Sequence, residues 1–457
     1  MATTYISRTF TSGDTDKWTF SAWLKRCPDG VAQFIFSGWA DASNYTGMYF
    51  DTDESLHFYN RSGGGAAGQQ VTSALFRDPG AWYHLVFVWD SGNASSTDRM
   101  RIYVNGEEVT AFAVDNAPTQ DLDSSVNVSG NTCYIGQRGN GLYWNGEMSH
   151  VQFVDGAALA ASDFGETDST SGIWKIKTSV YGTPGTNGFC LKMEDRTNLD
   201  LDSSSNALTF TTTGTATATY DNPSNNFCTM NGIWYGLQSF TLENGNTRII
   251  PSANYGFPGS MAMNKGKWYF EAIPKAASAG IGIVSGSAFQ QGYLSDGTYA
   301  GGFGSFEGNK AYGYVSTATT QYLLEATTTT ESWGANLNHT TDVLQIALDL
   351  DNNFLYFGIN GTWQNSGVPT SGSTGTGGIA LAVQGAGYPA LGEEVWAPFA
   401  HSWDTTVPTE FNFGNGYFGT TAVSTSESDD AGEGSFEFDV PAGFYTICSK
   451  NIKAYGG

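Results

Sequence analysis

Short apolar segments that alternate with polar residues recur along the whole chain, and this pattern predicts β-strands. Trp18–Lys25 alternates aromatic and polar residues, and Ala81–Trp89 is a longer apolar run expected at the centre of a sheet. Asn-Gly pairs, the strongest short signal for a hairpin turn, follow Val104 and Ile359. No long stretch of the sequence has the 3.6-residue periodicity of a helix. The pattern therefore predicts an all-β protein.

The two halves of the chain repeat one order of segments. Each opens on a similar strand, Lys17–Trp23 in the first half and Lys267–Ala272 in the second, and each continues to a hairpin with an Asn-Gly turn. A turn-rich stretch lies between the halves. We expect two tandem antiparallel β-sandwiches, at residues 1–210 and 234–457, joined by a linker at 211–233.

Composition supports this architecture. The chain has 457 residues with 58 Gly, 29 Phe, 23 Tyr and 13 Trp, and this usage is typical of β proteins because aromatic side chains pack well on pleated sheets. The length suits two or three domains, each large enough to bury a core.

The charge balance argues against two classes of binding partner. Forty-four Asp and Glu residues stand against 20 Lys and Arg residues, which gives a net charge of -24. Such a chain lacks the basic stripe with which proteins attract nucleic acids and anionic membranes. The acidity favours solubility, while divalent-cation binding and a saline habitat are alternatives that the sequence leaves open.

Cysteine usage and the N-terminus bear on where the protein works. The five cysteines are widely spaced without a Cys-x-x-Cys pair, so we expect small core residues rather than disulfides or a zinc site. The N-terminus lacks the basic and apolar regions of a signal peptide, and no apolar run is long enough to span a bilayer. We expect synthesis in a cytoplasm and release by lysis or within a particle.

The first half carries a specific resemblance. Its ordered segments are W-T-F-S-A-W at 18–23, A-W-Y-H-L-V-F-V-W-D at 81–90, R-I-Y-V-N-G at 101–106 and Y-I-G-Q-R-G-N-G at 134–141. They resemble the laminin-G-like, concanavalin A-like lectin/glucanase domain of structural proteins of tailed phages, especially marine and cyanobacterial ones. The resemblance covers residues 1 to about 210.

The second half resembles another binding domain. G-K-W-Y-F-E at 266–271, G-I-G at 280–282, D-V-L-Q-I-A-L-D-L-D-N at 342–352 and F-N-F-G at 411–414 are similar to the SPRY domain, a β-sandwich for protein recognition. Three segments depart from that pattern: an insert at Ser316–Asn338, a loop at Pro369–Gly378 and an acidic loop at Ser424–Glu433. Because they fall in loops, the fold is expected to hold while the binding specificity stays open.

Catalytic motifs are missing from the sequence. Glucanases of this fold carry E-x-D-x-x-E on one strand, which brings carboxylates into one cleft, and the chain has no such motif. No G-x-S-x-G motif or phosphate-binding loop occurs, and the five histidines are scattered. We therefore expect a protein that is not an enzyme, with a polysaccharide depolymerase as the alternative.

One pentapeptide, D-L-D-S-S, occurs at 121–125 and again at 200–204. Carboxylates at Asp121 and Asp123 could offer oxygens to calcium, which laminin-G-like domains often bind. Asp and Ser also cap turns by bonding their own backbone, and neither copy continues to the glutamate of a complete calcium loop. Calcium is thus the one cofactor that the sequence suggests.

Loops rich in aromatic and amide residues are the candidate ligand-binding sites. Aromatic faces stack on sugar rings while Asn and Asp bond the hydroxyls, although the same residues also mark protein interfaces or ordinary packing. The candidates are Trp39, Asp41, Asn44, Tyr45, Trp144, Asn145, Tyr299, Phe303, Trp396 and Trp403.

The resemblances together imply a virion protein of a tailed bacteriophage. It would be a tail fibre, tail appendage or capsid-associated fibre, assembled in the host cytoplasm, that contacts host-surface glycan or neighbouring virion proteins through loops at the sandwich ends. We expect a homo-oligomer, and a trimer by analogy with other appendages. A secreted lectin or adhesin is a further alternative to the depolymerase.

Overall fold

The computed structural model describes residues 3–27, 30–177, 179, 181–232, 240–251, 255–276, 279–287, 311–316, 321–325, 328–331, 333–382, 390, 392–402, 404 and 406–456. The chain divides into two compact units, Met1–Ala218 and Thr219–Gly457. The division falls inside the segment 211–233 that the sequence predicts as a linker. Part of that segment is regular structure, because residues 211–213 form a strand of the first unit.

Strands dominate the first unit, and its short 3-10 turns span Ser96–Asp98 and Ala161–Asp163. In chain order its strands are β1 (Tyr5–Thr9), β2 (Lys17–Arg26), β3 (Gln33–Asp41), β4 (Asn44–Phe50), β5 (Ser55–Ser62), β6 (Gly65–Leu75), β7 (Trp82–Asp90), β8 (Met100–Val104), β9 (Glu107–Glu108), β10 (Phe112–Asn116), β11 (Thr132–Ile135), β12 (Gly146–Asp155), β13 (Gly165–Thr167), β14 (Trp174–Ile176), β15 (Phe189–Leu191) and β16 (Thr211–Thr213).

Two antiparallel sheets build this unit. Within the described residues, one has eight strands in the order β10-β6-β5-β4-β3-β11-β1-β16, and the other has six in the order β15-β12-β2-β7-β8-β9. Their inner faces share one core, in which Phe20 of β2 stacks on Phe36 of β3 with ring centroids 4.5 Å apart. The apolar run at 81–89 forms most of β7, inside the six-stranded sheet, as its pattern predicts.

A long segment after β12 covers the outer face of the six-stranded sheet. Phe164 and Trp174 of this segment pack with Val86 and Val88 of β7. Burying this second face leaves little of the six-stranded sheet to contact a ligand.

His84 of β7 is sealed beneath the same segment. Its ring stacks between Trp23 and Trp174, its Nδ1 accepts a hydrogen bond from Trp174 Nε1 at 3.0 Å, and its Nε2 lies 2.9 Å from Ser21 Oγ. Because Nδ1 accepts, Nε2 carries the proton and donates it to Ser21. Burial lowers the pKa of His84 to about 3, so the ring is neutral. His84 is thus the satisfied core histidine that its apolar strand predicts.

The second unit is also made of strands, with 3-10 turns at Gln364–Ser366 and Pro369–Thr374 and a C-terminal helix, α1 (Ser449–Tyr455). Its described strands are β17 (Phe240–Glu243), β18 (Arg248–Pro251), β19 (Tyr255–Pro258), β20 (Lys267–Ile273), β21 (Ala279–Ser285), β22 (Ala311–Ser316), β23 (Gln321–Glu325), β24 (Thr328–Glu331), β25 (Leu344–Asp349), β26 (Phe354–Ile359), β27 (Thr362–Trp363), β28 (Ile379–Ala380), β29 (Trp396–Ser402), β30 (Thr409–Asn412), β31 (Tyr417–Phe418), β32 (Thr421–Ala422) and β33 (Tyr445–Thr446).

Two larger sheets organise these strands. Within the described residues, nine strands follow the order β17-β18-β30-β20-β25-β26-β27, with β28 beside β26 and β33 parallel to β20, and six follow β19-β29-β21-β22-β23-β24. Tyr314 of β22 contacts Phe357 of β26 with ring centroids 5.7 Å apart, so the sheets pack face to face. The insert that the sequence predicts at Ser316–Asn338 contains β23 and β24.

The C-terminal segment, residues 435–447, packs across the outer face of the nine-stranded sheet through Phe436 and Phe444. Glu271 of β20, fully buried, anchors it: its carboxylate accepts the backbone N–H groups of Glu437 and Phe438, each at 2.9 Å. Tyr269 donates to the same carboxylate at 2.8 Å. Burial raises the pKa of Glu271 to about 7.

The all-β prediction with two antiparallel β-sandwiches is confirmed. Both predicted Asn-Gly hairpins form, and their asparagines have φ values of 50° at Asn105 and 48° at Asn360, as left-handed hairpin turns require. Within the described part of the chain, no helix is long and apolar enough to cross a membrane.

Candidate ligand-binding face

The outer face of the eight-stranded sheet carries the candidate site. Successive side chains of a strand point to opposite faces, and on β4 and β5 the core takes Met48, Phe50, Leu56 and Phe58. The residues between them therefore point away from the core. With two rings of β3 they form a surface that we call the aromatic face: Phe34, Trp39, Tyr45, Tyr49, His57 and Tyr59.

One row of rings crosses three strands. Phe34 pairs with Tyr49 and Tyr49 with His57 in the strand register, and their ring centroids lie 4.4 Å and 4.6 Å apart. A β-bulge between Phe34 and Phe36 turns Phe34 to the outer face, while Phe36 stays in the core. Cross-strand ring pairs of this kind hold each other in place.

A second row lies nearer the β3–β4 turn. Trp39 pairs with Tyr45, and their rings stack with centroids 5.4 Å apart and planes inclined by 29°. Tyr45 also contacts Tyr59 at 5.8 Å. Trp39, Tyr49 and Tyr59 are partly exposed, so their ring surfaces are accessible to a ligand.

Arg138 brings a positive charge to this surface. The Ser37 hydroxyl on β3 donates to the carbonyl of Gln137 at 2.9 Å and fixes the loop that carries Arg138. The guanidinium carbon lies 5.8 Å from the ring centroid of Phe34, 5.9 Å from that of Trp39 and 6.0 Å from that of Tyr45. These are cation–π distances.

Gly139 lets this loop approach the sheet. Its φ is +111°, a conformation that favours glycine, and a Cβ there would lie 2.4 Å from the Trp39 ring. The loop position therefore depends on a glycine at 139.

Further tyrosines continue the surface toward the other side of the sheet. Tyr134 of β11 lies between the core residues Cys133 and Ile135, and so it points outward. Its ring meets that of Tyr5 on β1 edge-on at 5.7 Å. Accessible rings thus span from β5 to β1, four inter-strand steps or roughly 19 Å.

Burial shifts the pKa values of three titratable groups of the face toward their neutral forms. Burial raises the pKa of Tyr49 and Tyr59 above the usual value, so their hydroxyls keep their protons at neutral pH. Burial lowers the pKa of His57, although Asp51 lies 3.7 Å from its Nε2. The surface thus offers ring faces, hydroxyl groups and the charge of Arg138.

The sequence-predicted residues divide between this face and other places. Trp39 and Tyr45 meet on the face, but they stand on strands instead of in loops. Asp41 and Asn44 build the β3–β4 turn, because Asn44 donates to both carboxylate oxygens of Asp41 at 3.1 Å and Ser43 N–H donates at 2.7 Å. The bonds to Asn44 and Ser43 lower the pKa of Asp41.

Two predicted tryptophans lie in the interior. Trp144 packs on Phe50 in the first core, and Trp396 is fully buried in the second unit beside Tyr312. Both rings are buried, so neither ring face is accessible in this structure, and binding roles for Trp144 and Trp396 stay predictions. Asn145, partly exposed, accepts the N–H of Cys27 through its carbonyl at 2.9 Å. Tyr299, Phe303 and Trp403 lie outside the described residues.

The two copies of the repeated pentapeptide differ in structure. Asp202 accepts the N–H groups of Cys190, Ser204 and Leu208 at 2.8 to 2.9 Å, so it caps a turn. Asp123 accepts the Thr15 hydroxyl.

Asp121 and Asp123 lie near two other acids. The pKa of Asp16 is raised by burial and then by the charges of Asp123, Asp14 and Asp121. Among the described residues, no three His, Cys, Asp or Glu side chains converge in a way that could hold a metal. Calcium at Asp121 and Asp123 stays a prediction.

Sequence reasoning missed most of the aromatic face. Tyr45, Gly47 and Tyr49 alternate on β4 and could have indicated an outward tyrosine row. Phe34 depends on a bulge and Arg138 on a loop that folds back over the sheet, and neither has a local sequence signal.

Comparisons with known proteins agree with the fold of the first unit. Residues 2–162 match the family described as the concanavalin A-like lectin/glucanases superfamily, of the laminin G type. No curated protein matches the chain. The first unit therefore has a lectin/glucanase-like β-sandwich, a fold suited to binding carbohydrate or protein.

Three of the solved structures that are similar to parts of the chain are a pentraxin and two SPRY domains. A native heptameric SAP-like pentraxin from Limulus polyphemus is 22% identical, with 35% of this chain and 72% of that chain covered and a TM-score of 0.27. The TRIM65 PSpry domain is 12% identical, covering 41% and 92%, with a TM-score of 0.27. The SPRY domain of human HERC1 is 12% identical, covering 38% and 92%, with a TM-score of 0.24.

Proposed function

We propose that the protein is a non-enzymatic carbohydrate-binding protein and that the aromatic face binds a glycan. The observation that carries this proposal is the set of stacked rings on β3, β4 and β5, of which Trp39, Tyr49 and Tyr59 are partly exposed. Sugar rings present C–H groups to aromatic faces, while their hydroxyls bond phenol and amide groups. Rings held by cross-strand stacking lose little freedom when a ligand binds, which favours affinity.

The carboxylates near the face support binding over hydrolysis. A glycosidase needs two carboxyl groups that flank the scissile bond, one of them free to transfer a proton. Here Asp41 is held by its own turn, and Asp53 accepts the N–H of Ser55 at 2.9 Å and its hydroxyl at 2.6 Å. Asp51 accepts the N–H of Thr52 at 2.8 Å. These carboxylates serve local structure.

The proposed setting is the virion of a tailed bacteriophage, where the chain forms a tail fibre, tail appendage or capsid-associated fibre. The resemblance of the first half to a domain of phage structural proteins supports this setting. The first unit would contact host-surface glycan, and the second would contact neighbouring virion proteins. A homo-oligomer, with a trimer as the first choice, would present several copies of the face and raise avidity.

A glycan array tests the binding function. We expect the wild-type chain to bind a restricted set of oligosaccharides and Trp39→Ala or Tyr59→Ala to weaken that binding by about tenfold or more. Tyr455→Ala is the matched control, because Tyr455 is an exposed tyrosine that stacks on Tyr445 in the second unit. Release of shortened products from a bound polysaccharide would instead identify a depolymerase.

The virion setting needs a separate experiment. Mass spectrometry of purified particles should detect the chain, and an antibody against residues 424–433, most of which are exposed, should label tails or capsids. Label at the tail would favour host recognition, and label over the capsid would favour decoration. Absence from particles would refute the setting and favour a secreted lectin.

A further inference from the structure

Arg138 places a positive charge on the aromatic face of a strongly acidic chain. The chain contains 44 Asp and Glu residues against 20 Lys and Arg residues. Several cations form ion pairs, among them Lys17 with Asp90 at 3.2 Å and Lys267 with Asp349 at 3.1 Å. Among the described residues, no carboxylate lies within ion-pair distance of Arg138, although acidic side chains are abundant.

The bonding capacity of Arg138 is also mostly unused. Its Nε donates to Asn140 Oδ1 at 2.8 Å, and within the described part of the chain its two terminal nitrogens have no acceptor. The guanidinium group presents these nitrogens as a planar fork, which matches the two oxygens of a carboxylate or sulfate. The group is thus oriented by the loop and ready to accept an anion.

The surroundings of Arg138 strengthen its attraction for an anion. Arg138 is partly buried, and the rings of Phe34, Trp39 and Tyr45 exclude water on one side. A charge beside apolar rings interacts more strongly with an anion than a charge in bulk water does. Arg61, paired with Tyr45 in the strand register, adds a second positive charge to the same face.

We infer that the glycan bound on the aromatic face is acidic and that Arg138 receives its carboxylate or sulfate group. This inference rests on the proposed glycan binding and adds the chemical class of the ligand. A neutral glycan would leave the fork of Arg138 with water alone, whereas an acidic sugar stacked on Trp39 places its anion beside the guanidinium. The net charge of the chain repels such ligands elsewhere, so Arg138 also directs them to this face.

Calorimetric titration with three oligosaccharides of equal length tests the inference: one neutral, one with uronic acid carboxylates and one with sulfate esters. We expect an acidic oligosaccharide to bind about tenfold to a hundredfold tighter than the neutral one. Arg138→Gln should weaken binding of the acidic ligand by about tenfold to a hundredfold and weaken binding of the neutral ligand by a clearly smaller factor. The preference between uronate and sulfate identifies the anion.

Arg101→Gln is the matched control, because Arg101 also lies over a tyrosine, 6.0 Å from the Tyr103 ring centroid, but on the six-stranded sheet. It should leave all three affinities unchanged. Arg138→Lys keeps the positive charge without the fork, so it should retain part of the preference for acidic ligands. This partial preference would show that the loss of affinity in Arg138→Gln does not come from misfolding.

Two outcomes would overturn the inference while glycan binding stands: equal affinity for neutral and acidic ligands, or equal weakening of both by Arg138→Gln. Failure of all three oligosaccharides and of the glycan array would instead refute the proposed function itself.

Discussion

Trp39 and Tyr45 face each other across β3 and β4, with ring centroids 5.4 Å apart and planes inclined by 29°. The strand register pairs these residues directly, so the ladder of backbone hydrogen bonds fixes the spacing of their rings. A platform set by a sheet is more rigid than one set by a loop, and a rigid platform loses less entropy on binding. The sheet itself therefore prepares this face for a flat ligand.

Gly47→Ala tests how closely the face is packed. A Cβ at this position would lie 2.5 Å from Cε1 of Phe34, which is buried and stacked on Tyr49. We expect the clash to displace the Phe34 ring, lower the free energy of unfolding by about 1–3 kcal/mol and weaken glycan binding. Chemical denaturation and calorimetric titration measure the two effects.

Gly65→Ala is the control for this substitution. Gly65 starts β6 of the same sheet, is exposed, and a Cβ there meets only Ser62 O at 4.0 Å. Gly65→Ala should leave the free energy of unfolding and the affinity for glycan unchanged. A stable Gly47→Ala variant with full affinity would show that the Phe34–Tyr49 stack is not needed.

His84 should make the first unit sensitive to acid. Its folded-state pKa of about 3 lies below the usual value of 6.5, so its contribution to stability is present above pH 6.5 and is lost as the pH falls toward 3. One such group changes the free energy of unfolding by up to about 1.4 kcal/mol per pH unit.

His84→Gln, which cannot take up this proton, should reduce the slope of stability against pH between pH 6.5 and 4. Unfolding followed by tryptophan fluorescence at several pH values gives the slope. An unchanged slope in the variant would mean that His84 already titrates in the folded protein near its usual pKa.

Glu271 should make the stability of the second unit fall as the pH rises, which is the opposite of the effect of His84. Its folded-state pKa of about 7 lies above the usual value of 4.5, so its contribution to stability is complete below pH 4.5 and is lost as the pH rises through 7. We expect the C-terminal segment that it anchors to exchange its amide hydrogens faster at pH 8 than at pH 5, after correction for intrinsic rates.

Hydrogen exchange of peptides covering residues 435–447 measures this effect. Glu271→Gln should abolish the pH dependence, because the amide stays neutral at every pH. Glu393→Gln, at an exposed position, should keep it. Equal corrected protection at both pH values in the wild type would contradict the account of Glu271.

The cysteines give a further prediction. All five are buried thiols, and burial raises the pKa of Cys190 to about 12 and of Cys448 to about 11. We expect no thiol to react rapidly with a disulfide reagent at pH 8 in the folded protein, and all five to react in denaturant. Rapid modification of one thiol in the native protein would show that its surroundings open.

Period-two alternation and Asn-Gly turns were sufficient to predict the strands and the fold class. The sequence pattern around Ala81–Trp89 and at Asn105 and Asn360 reports local backbone preferences, which survive in the folded protein. Two of the predicted ligand residues, Trp39 and Tyr45, also meet on one surface.

The rest of the site depends on contacts between segments that are distant in sequence. Trp144 precedes Asn145, and Trp396 lies two residues after Glu394 in the sequence. Packing against Phe50 and Tyr312 nevertheless buries both rings. Arg138 reaches the rings of β3 and β4 only because Ser37 holds its loop. No local pattern contains this information.

A crystal structure of the chain with its tightest-binding oligosaccharide would show directly whether the aromatic face binds the glycan. We expect sugar density on the outer face of the eight-stranded sheet, with a ring stacked on Trp39 and an anionic group at Arg138. Sugar bound elsewhere on the chain, with the aromatic face vacant, would contradict it.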